Sequence, residues 1–171
     1  MNTTLAILLA QSLSLIACIL FAVWYVVPWL ESRSRTEALV PLVWVHVMRN
    51  FALQLYSAQQ AGFAISDAAR DHNVIGDVVG MILALVALIA LRVRAGLAPL
   101  LVWLLVAETL YDIGTGMPQA IRDHTLGLVN GLTWIVLVYY VPIILVSLAL
   151  TLWQLLARRD EPIVLTPPHS A

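Results

Sequence analysis

Lysine is absent from the 171-residue chain, cysteine occurs once, at Cys18, and charged residues make up only 11%. Each shortage excludes something. Without an amine side chain there is no Schiff-base anchor, which removes a retinal-type pigment protein. A lone thiol removes an intrachain disulfide, a CxxC redox pair and a multi-cysteine metal site. Nine arginines against ten acids leave a net charge of −1, so there is no basic surface for nucleic acid. The charged fraction is under half the roughly 25% of an ordinary soluble domain. Apolar residues dominate instead, at 61%, with a mean hydropathy of +0.92. They outnumber the positions that a core of this size can hide from water. The expected solvent is lipid, and no strong catalytic signature stands out.

Charge-free runs and turn signals divide residues 1–157 into five expected spans, 5–30, 38–61, 74–91, 97–117 and 127–157, followed by a tail over 158–171. A bilayer core takes about 20 helical residues, and every run is near or above that length. The first lacks a basic leader and a small-residue cleavage site, and reads as a retained anchor. Residues 62–73 are too polar and short to cross, and read as a loop with one helical turn after Ser66 or Asp67. Gly114, Gly116 and Pro118 mark the end of the fourth span. The fifth is long enough to need tilting or a bend at Pro142. The Pro-containing tail from Arg158 is expected to be disordered.

Six arginines (Arg33, Arg35, Arg92, Arg94, Arg158 and Arg159) fall on one side of this layout, and Arg70 and Arg122 on the other. The positive-inside rule then puts the N-terminus outside and the C-terminus in the cytoplasm of an inner-membrane protein. The fold class expected is an all-α bundle of five transmembrane helices.

Arg49 and Glu108 each lie eleven residues in from the inner end of their spans, near mid-membrane. Both are too costly to face lipid, so they are expected to pair. His46, Arg49 and Asn50 are spaced i, i+3, i+4 and share a helical face, which Gln54 continues. Glu108 and Asp112 are also i, i+4, whereas Asp77 and Asn130 sit near the outer ends of their spans, with Thr133 and Trp134 one turn below Asn130. This convergence describes a polar crevice open to the non-cytoplasmic side. Three carboxylates facing one arginine must hold a proton, draw in another arginine or bind a cation.

Two readings stay open for each group. The Arg49–Glu108 pair is either architectural or functional. Asp77 is either a site residue or a first-turn helix cap. Gly76, Gly80 and Ala84 form a small-residue packing face. Arg70-Asp71-His72 and Arg122-Asp123-His124 repeat a short string in the outer loops, where solvated charge is the ordinary explanation and no metal site is assigned. No cofactor is expected, since His46 is the one histidine inside a span and bis-histidine haem ligation needs two.

The layout resembles small multi-span bacterial inner-membrane proteins of unassigned activity, in its Arg49-Asn50 pair, Gly76-Asp77, the Glu108 and Asp112 helix, and a proline in the last span. His46, Glu108, Asn130 and Trp134 also occur in an order similar to that of the emopamil-binding sterol isomerases. That family implies a five-span membrane enzyme using a histidine, acids and an Asn with a Trp. Asn50 stands where its second-helix acid is expected.

Three functions are therefore weighed. The first is a binding or transport module whose crevice takes a small cationic or amphiphilic molecule, with Glu108 and Asp112 exchanging protons and Arg49, Asn50, Gln54, Asp77, Asn130, Trp134 and His46 lining it. The second is an acid/base enzyme acting on an isoprenoid or sterol-like lipid. The third is an accessory subunit of a membrane complex. A chain this short has little room for a complete permeation path, so a homo-oligomer or a larger membrane partner is expected.

Overall fold

The computed structural model describes residues 2–93, 95–123, 125–129, 131–161 and 163. Among these, five helices are long and apolar enough to cross a membrane: α1 (Thr3–Glu31), α2 (Arg35–Gln60), α3 (Asp67–Arg92), α4 (Ala98–Arg122) and α5 (Gly131–Ala157). No strand occurs among the described residues. The pairs α3–α4, α2–α3 and α2–α5 carry most of the packing. In α1 only 11% of the most apolar stretch is covered by protein, so this helix lies on the outside of the bundle, against α5.

Local chemistry sets the helix ends. Ser34 and Glu37 form a reciprocal capping box at the start of α2, which satisfies backbone N–H groups that a first helical turn leaves orphaned. Gly62, at φ 96°, closes α2. Its N–H donates to the Gln59 carbonyl and that of Phe63 to Ala58, the paired bonds of a Schellman stop, which needs a left-handed residue.

Three boundaries differ from the sequence expectation. Ser66 caps α3 through Ala69 N, and the helix runs unbroken from Asp67, so most of the expected outer loop is helical. Arg70 makes this possible: its guanidinium bonds Asp67, Asp71 and Gln59 and lies 4.5 Å over the Tyr56 ring. Asp77 is thus ten residues into α3, and the first-turn cap reading does not apply to it. Helix α4 passes through Gly114, Gly116 and Pro118 to Arg122. A proline removes one backbone bond, whereas unwinding the final turns in apolar surroundings would leave several groups unsatisfied. Finally, the chain before α5 forms a short 3₁₀ turn, Thr125–Leu128, so α5 has 27 residues rather than 31 and measures about 40 Å.

Ahead of Pro142 the helix makes a π-helical turn, Val136–Tyr140, and the same arrangement, Ala22–Val26, precedes Pro28 in α1. In both cases the wide turn lies just ahead of the proline, whose ring would otherwise press on a preceding carbonyl.

At the end of the bundle shared by Glu31, Arg35 and Ala157, two arginines tie helices together. Arg35, 8% exposed, donates to the carbonyls of Gln154, Leu155 and Glu161. Arg158 donates to the carbonyls of Leu30 and Arg33. Each guanidinium therefore caps the C-terminal carbonyls of another helix. Arg158 also pairs with Glu161, holding its carboxyl below the usual carboxylate range. The tail is thus ordered over residues 158–161, and Ile163 packs against the core. The rest of it lies outside the described residues.

The main core fills this same half of the bundle, with Leu39 and Val43 on α2, Ala87 and Leu91 on α3, Val102 and Leu105 on α4 and Leu148 on α5. It seals one end of the space between α2, α3 and α4. A smaller cluster of Ile7, Phe63, Val129 and Val138 lies toward the other end.

Candidate functional site

Above the core, α2 tightens into a 3₁₀ segment, Met48–Leu53. Mid-helix segments of this type often mark a hinge or local strain, and here the segment carries Arg49, the largest fully buried side chain. Its guanidinium has five N–H donors, and all five are used. Nε donates to Asp77 Oδ1 at 2.7 Å. Nη1 donates to Glu108 Oε2 at 2.5 Å and Thr109 Oγ1 at 3.2 Å. Nη2 donates to Glu108 Oε1 at 3.2 Å and Asp112 Oδ2 at 2.7 Å. The expected contact between Arg49 and Glu108 is present, and two further carboxylates share the same cation.

This arrangement divides the acids by role. Glu108 has both oxygens on the guanidinium. Asp77 and Asp112 each have one oxygen engaged there, and among the described residues the second oxygen of each makes no hydrogen bond. Fully ionised, the group would carry a charge of −2, so it retains attraction for a further cation.

Two glycines of α3 make room for this cluster. A Cβ on Gly80 would collide with Arg49 Nη1 and Cζ and come within 2.7 Å of Glu108 Oε2, and a Cβ on Gly76 would meet the Asp112 carboxylate. The stripe read in the sequence as helix packing is, at these two positions, a cradle for ionic side chains.

A cavity of 180 Å³ adjoins the cluster, lined by Arg49, Asn73, Asp77, Asp112 and Tyr140 together with apolar side chains of α4 and α5 such as Met117 and Ile144. Asn73 and Asp77 also line a neighbouring 170 Å³ cavity that reaches Gln54 and Thr133. On the opposite flank, between α3 and α4, a 280 Å³ groove is lined by His72, Gly76, Glu108, Tyr111 and Asp112. Asp112 therefore borders both the inner cavity and the outer groove.

The other expected site residues are distributed as follows. Gln54 lies in the second cavity, where its Oε1 accepts a bond of 3.0 Å from Thr133. His46 is buried, its Nδ1 without a partner among the described residues, and it does not line the cavity beside Arg49. Asn50 is exposed. Asn50 directly follows Arg49, and successive helical residues point about 100° apart, widened to about 120° in this 3₁₀ segment, so Asn50 does not share the direction of Arg49. Trp134 packs with the smaller apolar cluster and stacks edge-on with Tyr139. Asn130 and His124 lie outside the described residues. His72 is not in a loop: it sits on α3 with Nε2 3.2 Å from Thr115 Oγ1.

Sequence reasoning missed Thr109, Asn73 and Tyr140. The Tyr140 hydroxyl donates to the Val45 carbonyl at 2.7 Å and the ring meets Phe51 edge-on. A signal existed, since the two segments ending in Pro28 and Pro142 both carry a tyrosine-containing apolar run.

Fold and site together define a class: a five-helix apolar bundle with one saturated arginine held among three carboxylates beside a cavity. The chain belongs to the family described as Domain of unknown function (DUF8737), whose model matches residues 6–156. No curated protein and no solved structure matches the chain.

Proposed function

We propose that this protein is an integral membrane binding or transport module, taking a small cationic or amphiphilic molecule into the cavity beside Arg49. The observation that carries the reading is the uneven use of the carboxylates. Arg49 and Glu108 lock each other, while Asp77 and Asp112, which both line the cavity, each keep one oxygen without a hydrogen bond among the described residues. A cation entering there meets two acids and the Tyr140 ring, with apolar walls for a hydrocarbon portion. Ligand binding then rests on Asp77 and Asp112, with Asp112 the group that exchanges a proton. The arginine distribution supports an N-terminus outside and an inner-membrane location, and the small cavity supports action as a homo-oligomer or with a larger membrane partner.

The test is calorimetric titration and thermal unfolding in non-ionic detergent with tetramethylammonium and dodecyltrimethylammonium. The wild type should bind and be stabilised, and Asp77→Asn/Asp112→Asn should abolish both effects while remaining folded. Failure of either cation to bind, or binding unchanged in the double variant, refutes the reading.

A second reading, an acid/base enzyme on an isoprenoid or sterol-like lipid, draws support from the flank groove, which brings Asp112 and Glu108 to the side of the bundle. Asp112 would be the general acid. The residues behind the sterol-isomerase resemblance lend it less, since neither His46 nor Trp134 lines that groove.

A further inference from the structure

The arginines near the sealed end of the bundle are not equivalent. Arg35 and Arg158 direct their guanidinium groups to backbone carbonyls. Arg159 is 79% exposed, 3.8 Å from Asp160. Arg33 and Arg92 differ from all three. They come from the ends of α1 and α3 and line one 490 Å³ groove with Trp29, Glu37, Val40 and Pro41.

Several features of this groove point to one kind of occupant. Both guanidinium groups are on exposed residues, and neither makes an ion pair among the described residues. Trp29 holds Arg33 at 5.4 Å from its ring centroid, which fixes the direction of that cation. Glu37 is the one acid among the lining residues, against two arginines, so the groove carries a net positive charge. Val40 and Pro41 give it an apolar floor running from the helix ends toward the middle of α2. A half-exposed tryptophan at a helix end is the usual marker of the headgroup level. Two forked cations over an apolar floor suit a phosphodiester with hydrocarbon below it.

We infer that the groove between the ends of α1, α2 and α3 binds the phosphate of an anionic phospholipid through Arg33 and Arg92. The lipid bridges α1 to α3. It would thereby add a link from α1 to α3 beside the Arg158 caps and the α5 contacts that already hold α1.

Native mass spectrometry of the full chain in detergent tests this, with phosphatidylglycerol, phosphatidylcholine or soluble glycerol phosphate added at matched concentration. Phosphatidylglycerol should be retained in preference to phosphatidylcholine. Retention should fall about fivefold for Arg33→Gln or Arg92→Gln and about thirtyfold for both, from the usual worth of one cation near a lipid surface. Arg159→Gln should leave it unchanged, as should Asp112→Asn, which separates this site from the acidic cavity. Equal retention of the two lipids, no loss in the double variant, or glycerol phosphate displacing the lipid would each overturn the assignment. Should the double variant fold poorly, charge-keeping Arg33→Lys/Arg92→Lys should retain an intermediate amount, and complete retention there would refute forked recognition.

Discussion

Gly80→Ala and Gly114→Ala make the same chemical change inside two helices of one bundle and should move stability in opposite directions. Added to an unobstructed helix interior, a methyl group stabilises by up to about 1 kcal/mol, because glycine loses more backbone freedom on folding. Gly114 is such a site, with nothing within 4 Å of the added carbon. At Gly80 the methyl group falls on the Arg49 guanidinium and crowds Glu108 Oε2. The guanidinium cannot step aside without giving up its hydrogen bonds, since all five donors are engaged. Disrupting a buried ion pair costs about 3 to 5 kcal/mol, which exceeds the helical gain several-fold. Reversible unfolding in mixed micelles, followed by circular dichroism, measures both variants against the wild type. A Gly80→Ala variant as stable as Gly114→Ala would show that the cluster does not rest against α3 in the way described.

Other variants probe separate contacts. Arg49→Gln leaves three carboxylates crowded without a cation and should be the most damaging single change at the site, by about 3 to 5 kcal/mol; the same micelle unfolding reads it, and a loss smaller than that of Asp112→Asn would contradict it. Tyr140→Phe removes the 2.7 Å bond to Val45 and should cost about 0.5 to 1.5 kcal/mol; a variant of unchanged stability would remove that bond from the account. Arg35→Gln strips carbonyl partners from the end of α5, and faster amide exchange should appear over residues 150–157, an effect absent if the cap is idle. The Glu161 carboxyl, held low by Arg158, should titrate below the ordinary value of about 4.3. Its stabilising contribution is therefore complete above that value and disappears as pH falls through the depressed one. Side-chain carbon NMR follows this directly, and titration at or above 4.3 would be the wrong result.

Charge in an apolar chain was the most legible feature. Arg49 and Glu108 could be matched from counting alone, because burial leaves an ionised group few partners. Asp77 was harder, since its depth depends on where α3 begins. The turn after Ser66 was legible, but its continuation into α3 rests on the tertiary brace of Arg70 on Gln59 and Tyr56, which no local pattern in the string reveals. Asn50 was misplaced because it lies at the edge of the face counted from His46, about 100° from Arg49, and the 3₁₀ turn over Met48–Leu53, which no residue announces, widens that angle a little further. Pro118 and its glycines read as a stop because sequence rules are calibrated in water, where an unwound turn finds solvent partners. The double duty of Gly76 and Gly80 was out of reach for a different reason: a small residue signals close approach, yet it does not say whether another helix or a long side chain is approaching.

The reciprocal arginine caps have a practical consequence for anyone handling this chain. Arg158 fastens the last carbonyls of α1 from a position 128 residues away, so the first helix is anchored by sequence close to the other terminus. A truncation or fusion joint placed directly after Ala157 would uncap the end of the first helix, although it removes nothing near it in sequence. A joint placed beyond Ile163 spares both knots.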